Sequence, residues 1–416
     1  MSDLKLNRRA LLGAGLGGLC SLVNRPALAD LAGERVAAAG LQWRSDVLLP
    51  SQLRLGGQLV GHLAGKHGTN VMVSPASLAG VLAMLSSGAS QPFGHAIHHV
   101  LGFGDASRRA SASHVSGLKA ALGHILRQAT GESPLLLANM IVFDPASKPH
   151  AQALAKLVVQ GADVSVEDLR KPATIQRINE WVAQRTRNLI PSILNDPLSH
   201  PGLVAVNALH FKDKWKTPFD PAQTRPEQFH LVGGKSVDAS MMYSPDGRYR
   251  FRQDEKFIAV ELPYASDDFK LVVVTTKISP ARAHEFARVS QWMSGEHFTE
   301  QDGLIVLPRM KMSSDVELLT VLDAMGLSPA RLRHDAFRRF TAVPQTLSRV
   351  VQKAELKIDE EGTEAAAATA ATTWRSSPMV RYTKMIVNKP FVFALREKRT
   401  GLVLLNGYVA TVKDRA

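Results

Sequence analysis

The segment from Asp359 to Arg375 constrains the fold of this chain more than any other. Three carboxylates, Asp359, Glu360 and Glu361, run into one glycine, Gly362, and then into Thr363 and Glu364. Nine residues follow, Ala365 to Thr373, every one of them Ala or Thr, before Trp374-Arg375-Ser376-Ser377-Pro378. Alanine has the highest helix propensity, so a short helix or a surface linker is one reading. Strand periodicity supports another. Every second residue from Thr363 gives Thr363, Ala365, Ala367, Thr369, Ala371 and Thr373, all small and uncharged. A strand alternates its faces with period two, so this set can lie against a crowded interior without clash or buried charge. The segment is able to be a loop in one state and a central strand in another.

The string from Glu360 to Ala370 resembles the hinge of the reactive loop in serpins, the serine-protease-inhibitor family. Asn388 to Phe393 and Gly401 to Val409 are similar to the strands that close that fold. Asn70 to Leu78 resembles the entry into the family's second helix. Ile178 to Val182, with Thr186 and Ile190, resembles the helix that lies across the main sheet. Val206 to Trp215 and Pro218-Phe219-Asp220 match the strand and turn after it. Phe229-His230, Met241-Met242, Leu262-Pro263-Tyr264 and Leu307-Pro308-Arg309 follow in the family order. The similarity runs from about residue 50 to the end of the chain. It implies an α+β fold: a single large domain with several helices, three β-sheets and an exposed reactive-centre loop. That loop would span about 360–383 and be able to insert into the main sheet.

Composition agrees without being decisive. A chain of 416 residues exceeds the usual domain size, so two domains would be the default. No Pro/Gly/Ser-rich linker, repeat or charge block divides it, and one interwoven domain with a sizeable core fits better. Helical patterns occupy roughly 51–65, 75–88, 114–129, 174–190, 279–293 and 315–326. Apolar strand-like runs occupy 203–211, 256–262, 270–276, 303–308, 353–358, 385–395 and 402–411. Helices and strands do not alternate strictly, which sets the chain apart from doubly wound folds.

Residues 1–29 have the character of a targeting segment. Asn7-Arg8-Arg9 precedes a Gly-rich apolar stretch, Leu11 to Val23, and Ala27-Leu28-Ala29 supplies a small-residue cleavage site before Asp30. The stretch is too short to span a bilayer as a helix. The paired arginines resemble a twin-arginine export signal of bacteria. The expectation is an exported domain, 30–416, periplasmic or extracellular and monomeric, with no membrane span. Cys20 is the one cysteine and would leave with the signal, so the mature chain would hold no disulfide.

Three other functional readings have some support in the sequence. The net charge of +13 invites a polyanion, and Arg331, Arg333, Arg338, Arg339 and Arg349 concentrate in one stretch. No nucleic-acid motif accompanies them, so a solvated basic face is the simpler account. Some serpins bind polyanions through basic surfaces, and such a partner stays open. Ser116 and Lys119 have the Ser-x-x-Lys spacing of penicillin-recognising hydrolases, with Lys398 to Gly401 near their Lys-Thr-Gly. Arg399 interrupts the second motif and no Ser-Asp-Asn lies between. His95, His98 and His99 share helix faces, but no carboxylate or cysteine joins them at ligand spacing. Neither catalysis nor a metal or other cofactor is expected.

The resemblance implies a one-shot inhibitor. A target serine protease attacks a bond in the loop and becomes acylated; the freed loop then enters the main sheet and drags the protease along. A new central strand adds on the order of ten ladder hydrogen bonds at roughly 1 kcal/mol net each. That rivals a whole domain's stability of roughly 5–15 kcal/mol, so the uninserted form must be metastable. The hinge would be Glu361, Gly362, Thr363, Glu364, Ala365, Ala366, Ala367 and Ala368, with Thr363 the first side chain to become buried. Counting the usual hinge length places the bond at Ser376-Ser377, which suits an elastase-like or subtilisin-like protease. One residue fewer gives Arg375-Ser376, which suits trypsin-like enzymes and is slightly favoured. Trp374 would add a subsite contact. Ser74, Ser77 and Asn207 match the family's sheet-opening cluster, and Gln352 stands where a histidine is common. Trp215, Met241 and Met242 are expected to be packing residues. The alternative is a non-inhibitory serpin acting as a binding or chaperone protein.

Overall fold

Three β-sheets organise the chain, which is described here from a computed structural model over residues 45–65, 69–104, 108–128, 133–198, 202–363 and 382–412. Those residues hold seven α-helices, four 3-10 helices and seventeen strands, an α+β architecture. The largest sheet has ten strands. Its path runs from Val71–Val73 through Val403–Val409, Phe391–Glu397, Phe269–Thr276 and Phe257–Pro263. It continues through Gly247–Gln253, Thr299–Pro308 and Ser236–Tyr243 to Arg225–His230, with Thr383–Ile386 pairing in parallel to Thr299–Pro308.

The second sheet has five strands, in the order Met310–Glu317, Leu347–Ile358, Leu203–Phe211, Leu135–Phe143, Asp163–Val166. Its two faces are covered differently. Leu203, Ala205, Leu209 and Phe211 point into the larger of two hydrophobic clusters, together with Val350, Ala354, Leu356 and Ile358. Val204, Val206, Ala208 and Val351 point the other way, into a smaller cluster under the helix Pro172–Arg185. That helix presents Ile175, Ile178 and Val182 on one stripe, the spacing of an amphipathic surface helix. On the inner face lies Pro75–Ser86, capped by Ser74 with proline at its first position and buried almost all round. It packs against both the large sheet at Val403–Val409 and the five-stranded sheet at Leu203–Phe211.

The structure corrects several local expectations. Only half of the stretch 315–326 is helical: its first residues belong to the strand Met310–Glu317, and the helix is Leu319–Ala324. Met310, Met312 and Ser314 are buried while Lys311, Ser313 and Asp315 are exposed, a period of two that pairs with Leu347–Ile358. Apolar run 385–395 is two strands, Thr383–Ile386 and Phe391–Glu397, separated at Pro390. The pattern at 279–293 is a 3-10 helix, Ala283–Ser294. Helices Gln91–Val100 and Ala151–Val159 and the strand Leu135–Phe143 fall outside the helical and strand-like patterns of the sequence. Among the described residues no helix is long and apolar enough to cross a membrane.

Candidate functional site

The strand Leu347–Ile358 leads directly into the carboxylate cluster, and it lies parallel to Leu203–Phe211, in register from Leu347 with Leu203 to Glu355 with His210. Parallel strands need a long crossover and usually have their faces covered, as these do. This seam between two parallel neighbours is the centre of the five-stranded sheet.

At the head of the seam the chain is tied down. The Asp359 carboxylate accepts the N–H groups of Glu361 (3.1 Å) and Gly362 (3.2 Å). The Asp359 N–H donates to the Gly362 carbonyl at 2.9 Å, closing the turn. Trp215 holds it from outside: its N–H donates to the Glu361 carbonyl (2.7 Å) and its indole N–H to the Asp359 carbonyl (2.9 Å). The Phe219 N–H takes the Glu360 carbonyl at 2.7 Å. The Glu360 side chain, 6% exposed, accepts from Thr224 Oγ1 at 2.6 Å and pairs with Arg309. Burial pushes the Glu360 carboxyl up, but the Arg309 and Thr224 hydrogen bonds outweigh it and hold the group below its usual range.

Gly362 and Thr363 form a short antiparallel pair with Lys214 and Asp213. The approach demands glycine, since a Cβ at Gly362 would sit 2.2 Å from the Asp213 carbonyl oxygen. Thr363 is fully buried, its hydroxyl 2.9 Å from that of Tyr264. Tyr264 in turn stacks on Trp215, with ring centroids 4.5 Å apart. Here the expectation needs correction. Glu360 to Thr363 do not stand off the body, and Thr363 is buried before any insertion. Trp215 and Tyr264 supply a ready pocket because Asp213–Lys214 immediately follows the strand Leu203–Phe211. Glu364, Ala365, Ala366, Ala367 and Ala368 of the hinge, Trp374, and the bond region Arg375, Ser376 and Ser377 lie outside the described residues.

Midway down the seam, Ser74, Ser77, Asn207 and Gln352 come together, all buried. Gln352 and Asn207 face each other in register across the two strands. Gln352 Oε1 accepts the Ser74 N–H at 2.6 Å, and its Nε2 donates to the Ser74 carbonyl and to Asn207 Oδ1, each at 3.1 Å. Ser74 Oγ donates to Ser77 Oγ at 2.9 Å. Sequence reasoning missed Asn139, whose Oδ1 accepts from Asn207 Nδ2 at 2.5 Å across the next strand pair. A polar residue inside Leu135–Phe143, an otherwise apolar run, was the available signal. Glutamine serves here because one amide both donates and accepts, so a single side chain joins the seam to the helix cap. Nothing in that amide titrates.

The remaining candidates are dispersed. Ser116 donates to the Ala112 carbonyl on an exposed helix face, while Lys398 to Gly401 form the turn between two strands of the large sheet. Lys119 lacks a carboxylate partner among the described residues, and burial pushes its amine down to about 8. Burial, then the nearby His95 and Lys119, hold His98 below its ordinary value. Among the described residues no group of three His, Cys, Asp or Glu side chains is placed to hold a metal. Trp215, Met241 and Met242 are core residues.

Comparison with known proteins matches this geometry to one family. The family model described as Serpin (serine protease inhibitor) matches residues 50–412. Antithrombin-III of Homo sapiens is 29% identical over 358 residues, covering 82% of this chain and 76% of that protein. The solved structure of Serpin48 from the insect Tenebrio molitor superposes with a TM-score of 0.76 at 24% identity, covering 88% of this chain and 98% of its own. Human thyroxine-binding globulin superposes with a TM-score of 0.74 at 22% identity, covering 88% of this chain and all (100%) of that one.

Proposed function

The chain belongs to the serpin family, and from that membership we propose that it is an irreversible suicide-substrate inhibitor of serine proteases. One observation carries the proposal: the parallel strands Leu347–Ile358 and Leu203–Phe211 are direct neighbours, and the chain leaving the first is already docked at the head of their seam. The antiparallel pairs Gly362–Lys214 and Thr363–Asp213 lie just beyond the end of Leu203–Phe211 and would be the first rungs of a ladder extended down that strand. Continued in register, it brings Thr369 opposite Asn207 and Thr373 opposite Leu203. The run of Ala and Thr therefore ends where the strand ends. Its odd-numbered members would share the inward face of Ala205, Asn207 and Leu209, where only small side chains have room.

In this reading the protease's serine hydroxyl attacks the loop carbonyl at Arg375 or Ser376. The amine of the next residue leaves, and an ester joins protease to loop. Insertion breaks the Gln352–Asn207 bond and opens the seam, and the hinge Glu361 to Ala368 becomes its new central strand. Arg375-Ser376 remains the slightly favoured bond. The description of the matching family, serine protease inhibitor, supports the class. A second reading, a binding protein without inhibition, is favoured by the likeness to thyroxine-binding globulin. The small-residue hinge weighs against it. Residues 1–29 are proposed as the export signal and 30–416 as the mature monomer, for which an N-terminus at Asp30 in secreted protein is the check.

The test is incubation of the chain from Asp30 with trypsin, an elastase and a subtilisin, read on denaturing gels and by fragment mass. A complex that survives denaturation, with a released peptide beginning at Ser376 or Ser377, is expected. Clean cleavage by all three without complex would favour the binding-protein reading.

A further inference from the structure

The basic stretch 331–349 has no role in the hinge or the seam, yet its placement is not arbitrary. The strand Leu347–Ile358 is 12 residues long, so its first residue lies about 40 Å from the hinge at roughly 3.3 Å per residue. Arg331 Nη1 donates to the Leu347 carbonyl at 3.2 Å, fixing the stretch to that far pole. Phe340 packs edge-on against Phe143, the last residue of Leu135–Phe143 two strands across the sheet, with centroids 5.9 Å apart. The Ala342 N–H donates to the Lys148 carbonyl at 3.1 Å, and Thr341 bridges to Pro149. Residues 336–342 thus wrap under the end of the five-stranded sheet, beside Lys148.

The charge there is unbalanced. Arg331 pairs with Asp323, and Arg333 with Asp335 at 3.0 Å. Lys148, Arg338 and Arg339 are exposed and make no ion pair among the described residues. His334 and His150 are exposed on the same segments.

We propose that this basic pole is a docking surface for the captured protease, selecting enzymes whose face beside the active-site cleft is acidic. The inference rests on the inhibitory reading, because loop insertion down the seam delivers the acylated protease to the Leu347–Leu203 end. Attraction there presses the protease against the pole and keeps its active site deformed. Repulsion lets it relax and complete the second half-reaction. In that step water adds to the ester carbonyl, the ester C–O bond breaks, the protease serine regains its proton and the loop ends as a carboxylic acid. The pole cannot steer the first encounter at the loop, since about 40 Å is several screening lengths of roughly 8 Å at physiological salt. Complex lifetime should therefore depend on the patch, and the rate of complex formation should not.

The experiment compares anionic and cationic trypsin, using the Ser376→Arg chain so that either proposed bond is cut after arginine. Arg338→Glu with Arg339→Glu is expected to shorten the lifetime of the anionic-trypsin complex at least fivefold. The cationic-trypsin complex should not be shortened, and formation rates should stay within twofold for both. Arg338→Gln with Arg339→Gln should fall between, and matching thermal midpoints exclude misfolding as the cause. Equal lifetimes, or an effect on formation rate alone, overturn the proposal. So does loss of heparin retention with unchanged lifetimes, which would make the patch a polyanion site. Complexes with equal lifetimes leave the inhibitory reading standing, whereas failure of both trypsins to form any complex with the Ser376→Arg chain sinks that reading and the proposal with it.

Discussion

Thr363 and Glu360 show how much a single side chain can control at the hinge. Thr363 is enclosed by Tyr264 and its stacked partner Trp215. An arginine there must either bury a charge, at several kcal/mol, or expel the hinge from its pocket. Under the inhibitory reading, Thr363→Arg is expected to turn the protein from inhibitor to substrate, lowering the fraction of protease trapped by at least about tenfold, an effect of that cost on partitioning. Stable complex formation by this variant at the unaltered stoichiometry would refute the hinge assignment. Glu360 adds a pH dependence with a definite sign. Its folded-state carboxyl lies below the unfolded value of about 4.3, so its contribution is complete above that pH and disappears as acid protonates the folded group. Hydrogen exchange at Gly362 should accordingly rise below about pH 4 relative to neighbouring strands, and Glu360→Gln should remove that acid-dependent step.

At the scale of elements, the seam is secured by one amide joining two strands and a helix cap. Gln352→Leu deletes three hydrogen bonds and leaves Asn207 and the Ser74 backbone buried without them, a loss of about 2–4 kcal/mol. Urea unfolding should show that loss in the midpoint with little change in slope. Gln352→His places a titratable group in the same site, so seam stability should acquire a pH dependence around 6–7 that the glutamine chain lacks. The elements themselves were unequally legible. Long runs such as 203–211 and the helix 75–86 announced themselves by hydrophobicity. Met310–Glu317 did not, because its inward residues include Ser314 and its pairing with Leu347–Ile358 is what rewards the alternation. Short helices such as Ala151–Val159 owe their existence to packing, since nine isolated residues would not hold a helix.

For the whole molecule, the inhibitory reading demands a fold that is not at its most stable arrangement. Adding a sixth strand to the five-stranded sheet contributes on the order of ten ladder bonds, roughly 10 kcal/mol. At a few degrees per kcal/mol, cleavage in the loop should raise the unfolding midpoint by roughly 20 °C or more. A calorimetric scan before and after limited proteolysis checks this, and an unchanged midpoint would mean the loop does not insert. The sequence by itself determined the family, the hinge composition and the polar residues of the seam, because those are choices of side-chain size and type at fixed spacing. Under the inhibitory reading the alternate residues from Ala365 to Thr373 must be small, a requirement legible in their period of two. Tertiary structure alone decided that Thr363 is buried in advance, that Asn139 extends the seam network and that Arg338 and Arg339 lie at the pole opposite the hinge. Each of these depends on contacts between segments far apart in the chain, and local periodicity carries no record of such contacts.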